Sequence, residues 1–301
     1  AWERTHAHYY LQFAQRYVTM PIERWREVDS EWGNIYRGAD WCQQRIRRLW
    51  QAEPLTLLEK QNGGQQLQLP ADERVAVDDL RLARDYALAL AHYAFWRHPP
   101  GSVDWLATGA AAALALSDLR DYAWLQMNIG RQFFFNGELV AAIQWLDLAQ
   151  AIFDERDLLI ELAYALTDLG TSYRIQGEPR RALHYFRAAF DAVAQLGDQR
   201  ALATAYMNLG SAHYSLNNYD RALQEHRKAL RIAVRLEDDR LAGSAYNNMG
   251  LAMEGMEQFD KAQDAYSYAL DLFHRVDDVI GISTCYNNLG SASYARGELG
   301  Q

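Results

Sequence analysis

Asn208-Leu209-Gly210 is the central copy of a triplet that recurs every forty residues. Asn128-Ile129-Gly130 and Asp168-Leu169-Gly170 precede it, and Asn248-Met249-Gly250 and Asn288-Leu289-Gly290 follow it. A fixed period in this range is the mark of one supersecondary unit copied and stacked. Each unit then touches only its neighbours, and function shifts from a pocket to an extended surface.

Around the central copy, Ala203 to Arg240 divides into two amphipathic stretches. Helix A carries Ala203, Leu209, Gly210 and Tyr214, and helix B carries Tyr219, Ala222, Leu223, His226, Ala229 and Leu230. Small and apolar residues at i, i+3, i+4 and i+7 make the two helices face each other. The series Gly137-Glu138, Gly177-Glu178, Asn217-Asn218, Glu257-Gln258 and Gly297-Glu298 marks the A-to-B turn, where Gly and Asn suit a left-handed cap. Asp118, Asp198, Asp238 and Asp278 are expected to N-cap the next helix A.

Glycine inside a helix costs about 1 kcal/mol relative to alanine. Its recurrence therefore predicts that helix B presses on helix A there, with Ala142, Ala182, Ala222 and Ala262 as small partners. Leu146, Phe186, His226 and Tyr266 are expected to fill the space between successive units. From about Ala123 onward this spacing of small and large residues resembles the tetratricopeptide repeat, with pairs longer than its usual ~34 residues. The resemblance implies an all-α, right-handed superhelix of helix pairs.

The domain reading is an N-terminal helical segment and irregular connection over 1–81, then an array over 82–301. The array comprises a degenerate first repeat (82–120, with Leu90 where glycine is expected), repeats at 123–160, 163–200, 203–240 and 243–280, and a truncated last repeat at 283–301. Residues 2–19 and 22–43 read as a helical hairpin joined at Met20-Pro21, and Pro54, Gly63-Gly64 and Pro70 as a loop. All nine tryptophans lie at or before Trp145, which assigns them to packing in the N-terminal part. The chain opens inside a helical pattern and stops where a further helix is expected, which suggests a piece of a longer protein.

Two N-terminal phrases carry a second resemblance. His6-Ala7-His8-Tyr9-Tyr10-Leu11 and Glu27 to Trp41 are similar to the link after the winged-helix part of STAND signal-transduction ATPases. Tyr86 to Leu106 resembles the first helix pair of their sensor. The resemblance implies an upstream nucleotide-binding domain in the same polypeptide, with the array as its ligand sensor. No GxxxxGK[ST] occurs within the chain itself.

Composition narrows the partners. A formal net charge of -9 argues against nucleic acid, which is held mainly by Lys and Arg. The basic cluster Arg45, Arg47 and Arg48 suits a solvated helix face or a partner-domain contact. Cys42 and Cys285 make no disulfide framework, and no apolar run of about 18 residues or signal peptide is found. A cytoplasmic protein with no membrane span is the expectation. No HExxH, GxSxG or Gly-rich phosphate loop is present, and His6 and His8 diverge on a helix. No catalytic residue, metal or cofactor is therefore assigned.

In tetratricopeptide arrays helix A lines a concave groove, and the resemblance carries this role onto named positions. In the first full repeat these are Trp124, Met127, Asn128, Arg131 and Phe134, and in the second Tyr164, Asp168 and Arg174. Met207, Asn208 and Tyr214 follow, then Asn247, Asn248 and Glu254, and finally Asn287, Asn288 and Tyr294. An amide is both donor and acceptor and can clamp a peptide backbone without reading its side chains. The same amides could instead bond the neighbouring repeat. Arg131 and Arg174 could pair a ligand carboxylate or phosphate, or Asp168 on the same face.

The function this implies is recognition of a peptide, protein segment or small effector within a signal-transduction ATPase. Two alternatives remain open: a constitutive scaffold, and a peptide receptor acting on a response regulator through its N-terminal helices. The polar side chains available for the last are Gln12, Gln15, Glu23 and Glu27.

Overall fold

The computed structural model describes residues 2–18, 26–63 and 73–296. Among the described residues there are fourteen α-helices and no strand. They form two compact units, Ala1–Glu161 and Leu162–Gln301.

In the first unit, α1 (Trp2–Gln15) packs on α2 (Arg26–Trp50), and both pack on α4 (Glu73–Arg97). Ala7, Leu11, Ile35, Ile46, Leu80 and Tyr86 are buried at this junction. Polar contacts fix the register of α2 on α4. Asp79, 2% exposed, accepts from Arg45 Nε and Nη2 at 2.8 and 2.6 Å, and Asp29 accepts from the Tyr93 hydroxyl at 2.9 Å. Arg47 pairs with Glu53 at 2.7 Å, so part of the basic cluster is spent within the chain. The hairpin expectation holds for α1 and α2, although α2 runs on to Trp50 and the joint at Met20-Pro21 lies outside the described residues.

The loop expected around Pro54 is overturned in part. Residues Pro54–Asn62 form helix α3, with proline in its first turn, where a missing N–H costs nothing. Gly64 and Pro70 lie outside the described residues. Helix α4 starts at Glu73 and so runs through the boundary expected at residue 82. Its partner α5 (Ser102–Ala115) restores the missing close approach from the other side. A Cβ on Gly109 would stand 2.1 Å from that of Ala87, so here the glycine sits on the second helix and Leu90 is simply core. Tryptophan packing holds for Trp32, Trp105 and Trp145, but Trp2 and Trp96 are exposed.

Helices α6 (Leu119–Phe135) and α7 (Leu139–Glu155) complete the first unit. Helix α8 (Leu159–Ile175) spans the unit boundary. The second unit continues with α9 (Pro179–Leu196), α10 (Gln199–Ser215), α11 (Tyr219–Arg235), α12 (Asp239–Gly255), α13 (Phe259–Arg275) and α14 (Val279–Ala295). Within the first unit α6 packs on α7, and within the second α9 to α14 pack in succession, as the period predicts.

The turns obey a finer rule than the sequence announced. Left-handed residues occur at both kinds of turn: Gly137, Gly177, Asn217 and Glu257 after helices A, and Ser117, Asp157, Gly197, Glu237 and Asp277 after helices B. At most of these turns the next residue donates its N–H back to a carbonyl five positions earlier, as in Asn218 to His213 (2.9 Å) and Asp238 to Ala233 (3.0 Å). That bond closes the Schellman motif. The same residue opens the following helix, so one position ends one element and caps the next. The aspartates do cap as expected. Asp118, Asp198, Asp238 and Asp278 accept from the N–H groups of Asp121, of Arg200 and Ala201, of Leu241 and of Gly281. Asp238 and Asp278 also take Arg200 and Arg240 from the start of the preceding helix A, at 2.8 and 3.1 Å. With the arginines mostly exposed, each pair contributes about 0–1 kcal/mol.

The glycine register works, with one correction. Leu146, Phe186, His226 and Tyr266 do not merely separate successive units; each lies over the glycine of its own pair. A Cβ on Gly130, Gly170, Gly210 or Gly250 would meet Leu146, Phe186, His226 or Tyr266 at 3.0, 2.6, 2.3 or 2.4 Å. Gly250→Ala should cost about 1–3 kcal/mol through overpacking. Urea unfolding of the variant checks this, and a stabilised variant, as helix propensity alone would give, would contradict the packing.

His226 is the polar member of this register. It is 2% exposed, its Nδ1 has no partner, and burial holds its pKa down at about 4. Nearby His213 is also lowered, by burial and then by Arg221. The native state therefore keeps His226 neutral while the unfolded chain protonates it near pH 6.5. Its contribution is intact above that value and is lost as pH falls toward 4, by about 3 kcal/mol in all. His226→Phe, which copies Phe186, should remove this acid-dependent loss. Chemical denaturation at pH 7 and pH 4.5 measures it; an unchanged pH slope would exclude His226 as its source.

Candidate ligand-binding face

The A helices turn one row of residues away from their B partners, and the placement of that row sorts the candidates. In the first unit, Met127 is fully buried, which corrects its assignment as a contact residue: it belongs to the core of α6. Asn128 is 3% exposed and donates to the carbonyl of Trp124 at 2.8 Å, so its amide is spent on its own helix. Arg131 stacks over Phe95 at 5.1 Å and reaches Asn128 Oδ1 at 3.5 Å. Burial, and after it the Arg131 charge, lowers the pKa of His92. Trp124 and Phe134 are half-buried.

In the second unit most hydroxyls on the row satisfy themselves. Thr171, Thr204, Ser211, Ser244 and Thr284 donate to carbonyls of their own helices, four residues earlier, at 2.9–3.2 Å. These side chains therefore offer little to a ligand. Tyr164, Tyr214 and Tyr294 are exposed, at 50, 37 and 72%. Arg174 is half-buried and makes no ion pair among the described residues, so an internal pair with Asp168 is not formed.

The amide register splits according to its neighbours. Asn247, 8% exposed, accepts from Asn288 Nδ2 at 2.8 Å and from Cys285 Sγ at 3.8 Å. That contact stitches α12 to α14, so for Asn247 and Asn288 the neighbouring-repeat role is the one realised. Forty residues earlier, Met207 occupies the register of Asn247 and packs against the cluster that includes Ala203, Leu241 and Ala245. A thioether is a weak acceptor, and Asn248 is left without the bond that Asn288 enjoys. Asn208 and Asn248 are half-buried with no hydrogen-bond partner among the described residues, and Asn287 is exposed.

Glu254 is also engaged within the fold. It accepts from the Tyr266 hydroxyl at 2.7 Å and from Ser291 Oγ at 3.0 Å. Burial, then the bond to Glu254, pushes the Tyr266 phenol well above its ordinary range. The parts of the face free to bind are thus one cation (Arg174) and two central amides (Asn208 and Asn248), beside the exposed rings of Tyr164 and Tyr214. The sequence reading missed the Cys285, Ser291 and Arg200–Asp238 contacts; the forty-residue recurrence of Arg200 and Arg240 was the available signal for the last. Among the described residues no cluster of three or more His, Cys, Asp or Glu could hold a metal ion, and no helix is long and apolar enough to cross a membrane.

Comparisons with known proteins agree with this architecture. No curated protein matches the sequence. The aspartyl phosphate phosphatase F of Bacillus subtilis superposes with a TM-score of 0.67 at 14% identity, over 98% of this chain and 80% of that one. A Rap protein complexed with competence and sporulation factor gives 0.57 at 15% identity, over 95% and 87%. The STAND protein of Pyrococcus horikoshii with a tetratricopeptide repeat sensor gives 0.58 at 13% identity, over 96% of this chain and 43% of that one. At such identities the likeness is one of fold. The tetratricopeptide repeat family model matches residues 161–235, and the chain is an all-α array of helix pairs of that kind.

Proposed function

We propose that this chain is a protein-interaction module that binds an extended peptide or protein segment across α8, α10 and α12. The carrying observation is the pair Asn208 and Asn248, two half-buried amides in one register without partners among the described residues. Both amides stay open to pairing from outside the fold, and an extended backbone supplies the alternating donors and acceptors that match them. Arg174 at the α8 end favours a carboxylate on that end of the ligand. Tyr164 and Tyr214 add apolar contact.

Within a longer polypeptide we infer the role of a cytoplasmic sensor beside a nucleotide-binding domain, supported by the fold likeness to the STAND protein. Ligand binding would shift activity only through a difference in affinity between the resting and active states. A second reading, action on a response regulator, is supported by the fold likeness to the aspartyl phosphate phosphatase. Gln12 and Gln15 are exposed on α1, whereas Glu27 is engaged by the Tyr17 hydroxyl and Glu23 lies outside the described residues.

The test is selection from a displayed peptide library on the immobilised chain. Asn208→Ala with Asn248→Ala should weaken the selected peptides about tenfold or more, with unaltered helicity. Arg174→Ala should remove the preference for acidic residues, and Thr204→Ala should change nothing. Equal retention by the double variant would place recognition elsewhere.

A further inference from the structure

A cleft of about 990 Å³ opens between the end of α11, the start of α12 and the second half of α13. Its walls are the rings of Tyr246 and Tyr268, and its rim carries Glu237, Asp238, Asp239 and Asp271. Neither Asn208 nor Asn248 lines it.

The preceding repeat holds a cation of its own at the equivalent place. There, Lys228 sets its ammonium 5.2 Å over the Tyr206 ring and is held by Glu225 at 2.8 and 2.9 Å. Moving forty residues on, Tyr206 becomes Tyr246, Lys228 becomes Tyr268 and Glu225 becomes Ala265. The internal cation and its tether have no counterpart here. In their place a second ring lies 5.6 Å from Tyr246, tilted by 32° and 60% exposed. A tyrosine face attracts a cation through its quadrupole, and here that attraction is unanswered.

The rim charges point the same way. Asp238 is taken by Arg200 at 2.8 Å, and Asp239 by Arg275, the only cation lining the cleft, at 3.4 Å. Glu237 and Asp271 have no ion pair among the described residues. Aromatic walls beside two unspent carboxylates match an arginine or lysine side chain.

We propose that this cleft docks a basic segment of a partner protein, with a guanidinium or ammonium group against Tyr268 and Asp271. The incoming cation takes the part that Lys228 plays in the repeat before. Such a site reads charge opposite to that favoured by Arg174, so the two sites accept different segments.

The probe is a fluorescein-labelled tetra-arginine peptide, titrated with the chain and followed by fluorescence anisotropy, beside labelled tetra-glutamate. Binding of the arginine peptide alone is expected. Tyr268→Lys, which supplies the missing cation from within at an exposed position, should weaken it at least about fivefold, as should Asp271→Asn. Tyr268→Phe should keep it. Glu257→Gln, at the turn beyond the other end of α12, should have no effect although it removes one charge. Asn208→Ala with Asn248→Ala should also have none, which separates this site from the A-helix face. No binding to the unaltered chain, or full binding by Tyr268→Lys and Asp271→Asn, would overturn the proposal. So would equal losses in Glu257→Gln, which would mean diffuse attraction, or loss in the double asparagine variant.

Discussion

Every full helix pair of the array closes over a glycine, and the rest of the structure follows from that contact. Removing a side chain from helix A lets a large residue of helix B lie against bare backbone, as Phe186 does at Gly170 and Tyr266 at Gly250. The helix loses propensity at that position and regains it as close packing, which is worth more because it is buried. With the pair locked, part of the opposite row of helix A, Asn208 and Asn248 among it, is left open. Recognition by those positions is possible because much of the adhesion is handled on the other side.

What faces outward has been filtered by the helix itself. Hydroxyls on the row return to their own carbonyls, as Ser211 does to Met207, and one amide pair is consumed in joining neighbouring A helices. A polar row is therefore a poor guide to a binding row. The informative side chains are the ones that lack the partner their counterpart has in another repeat, and Asn248, with Met207 in the register that Asn247 offers to Asn288, is the clearest instance.

The period, the helix pairs and the capping aspartates were legible because each rests on local chemistry repeated in register. The left-handed turns after B helices were not, since Ser117, Asp157 and Glu237 do not advertise that conformation as glycine does. Periodicity places Leu146 and Phe186 on the inner side of helix B, but it does not say whether they meet their own glycine or the next unit. The amides were ambiguous for a similar reason: the bond that decides Asn247 comes from Asn288, in the next repeat. In 82–120 the glycine had crossed to the partner helix, at Gly109, and a search at the Leu90 register could not find it.

The left-handed turns have a consequence for how such a chain can change over time. Ser117, Asp157, Glu237, Glu257 and Asp277 each hold a conformation that side chains other than glycine enter at a cost of about 1 kcal/mol. None of these turns lies on the row of free amides. The protein thus holds a margin of robustness at its joints, open to drift toward glycine whenever a new binding surface proves destabilising. Innovation on the faces and compensation at the joints can proceed in separate residues, which lets an array of this kind diversify its specificity without losing its fold.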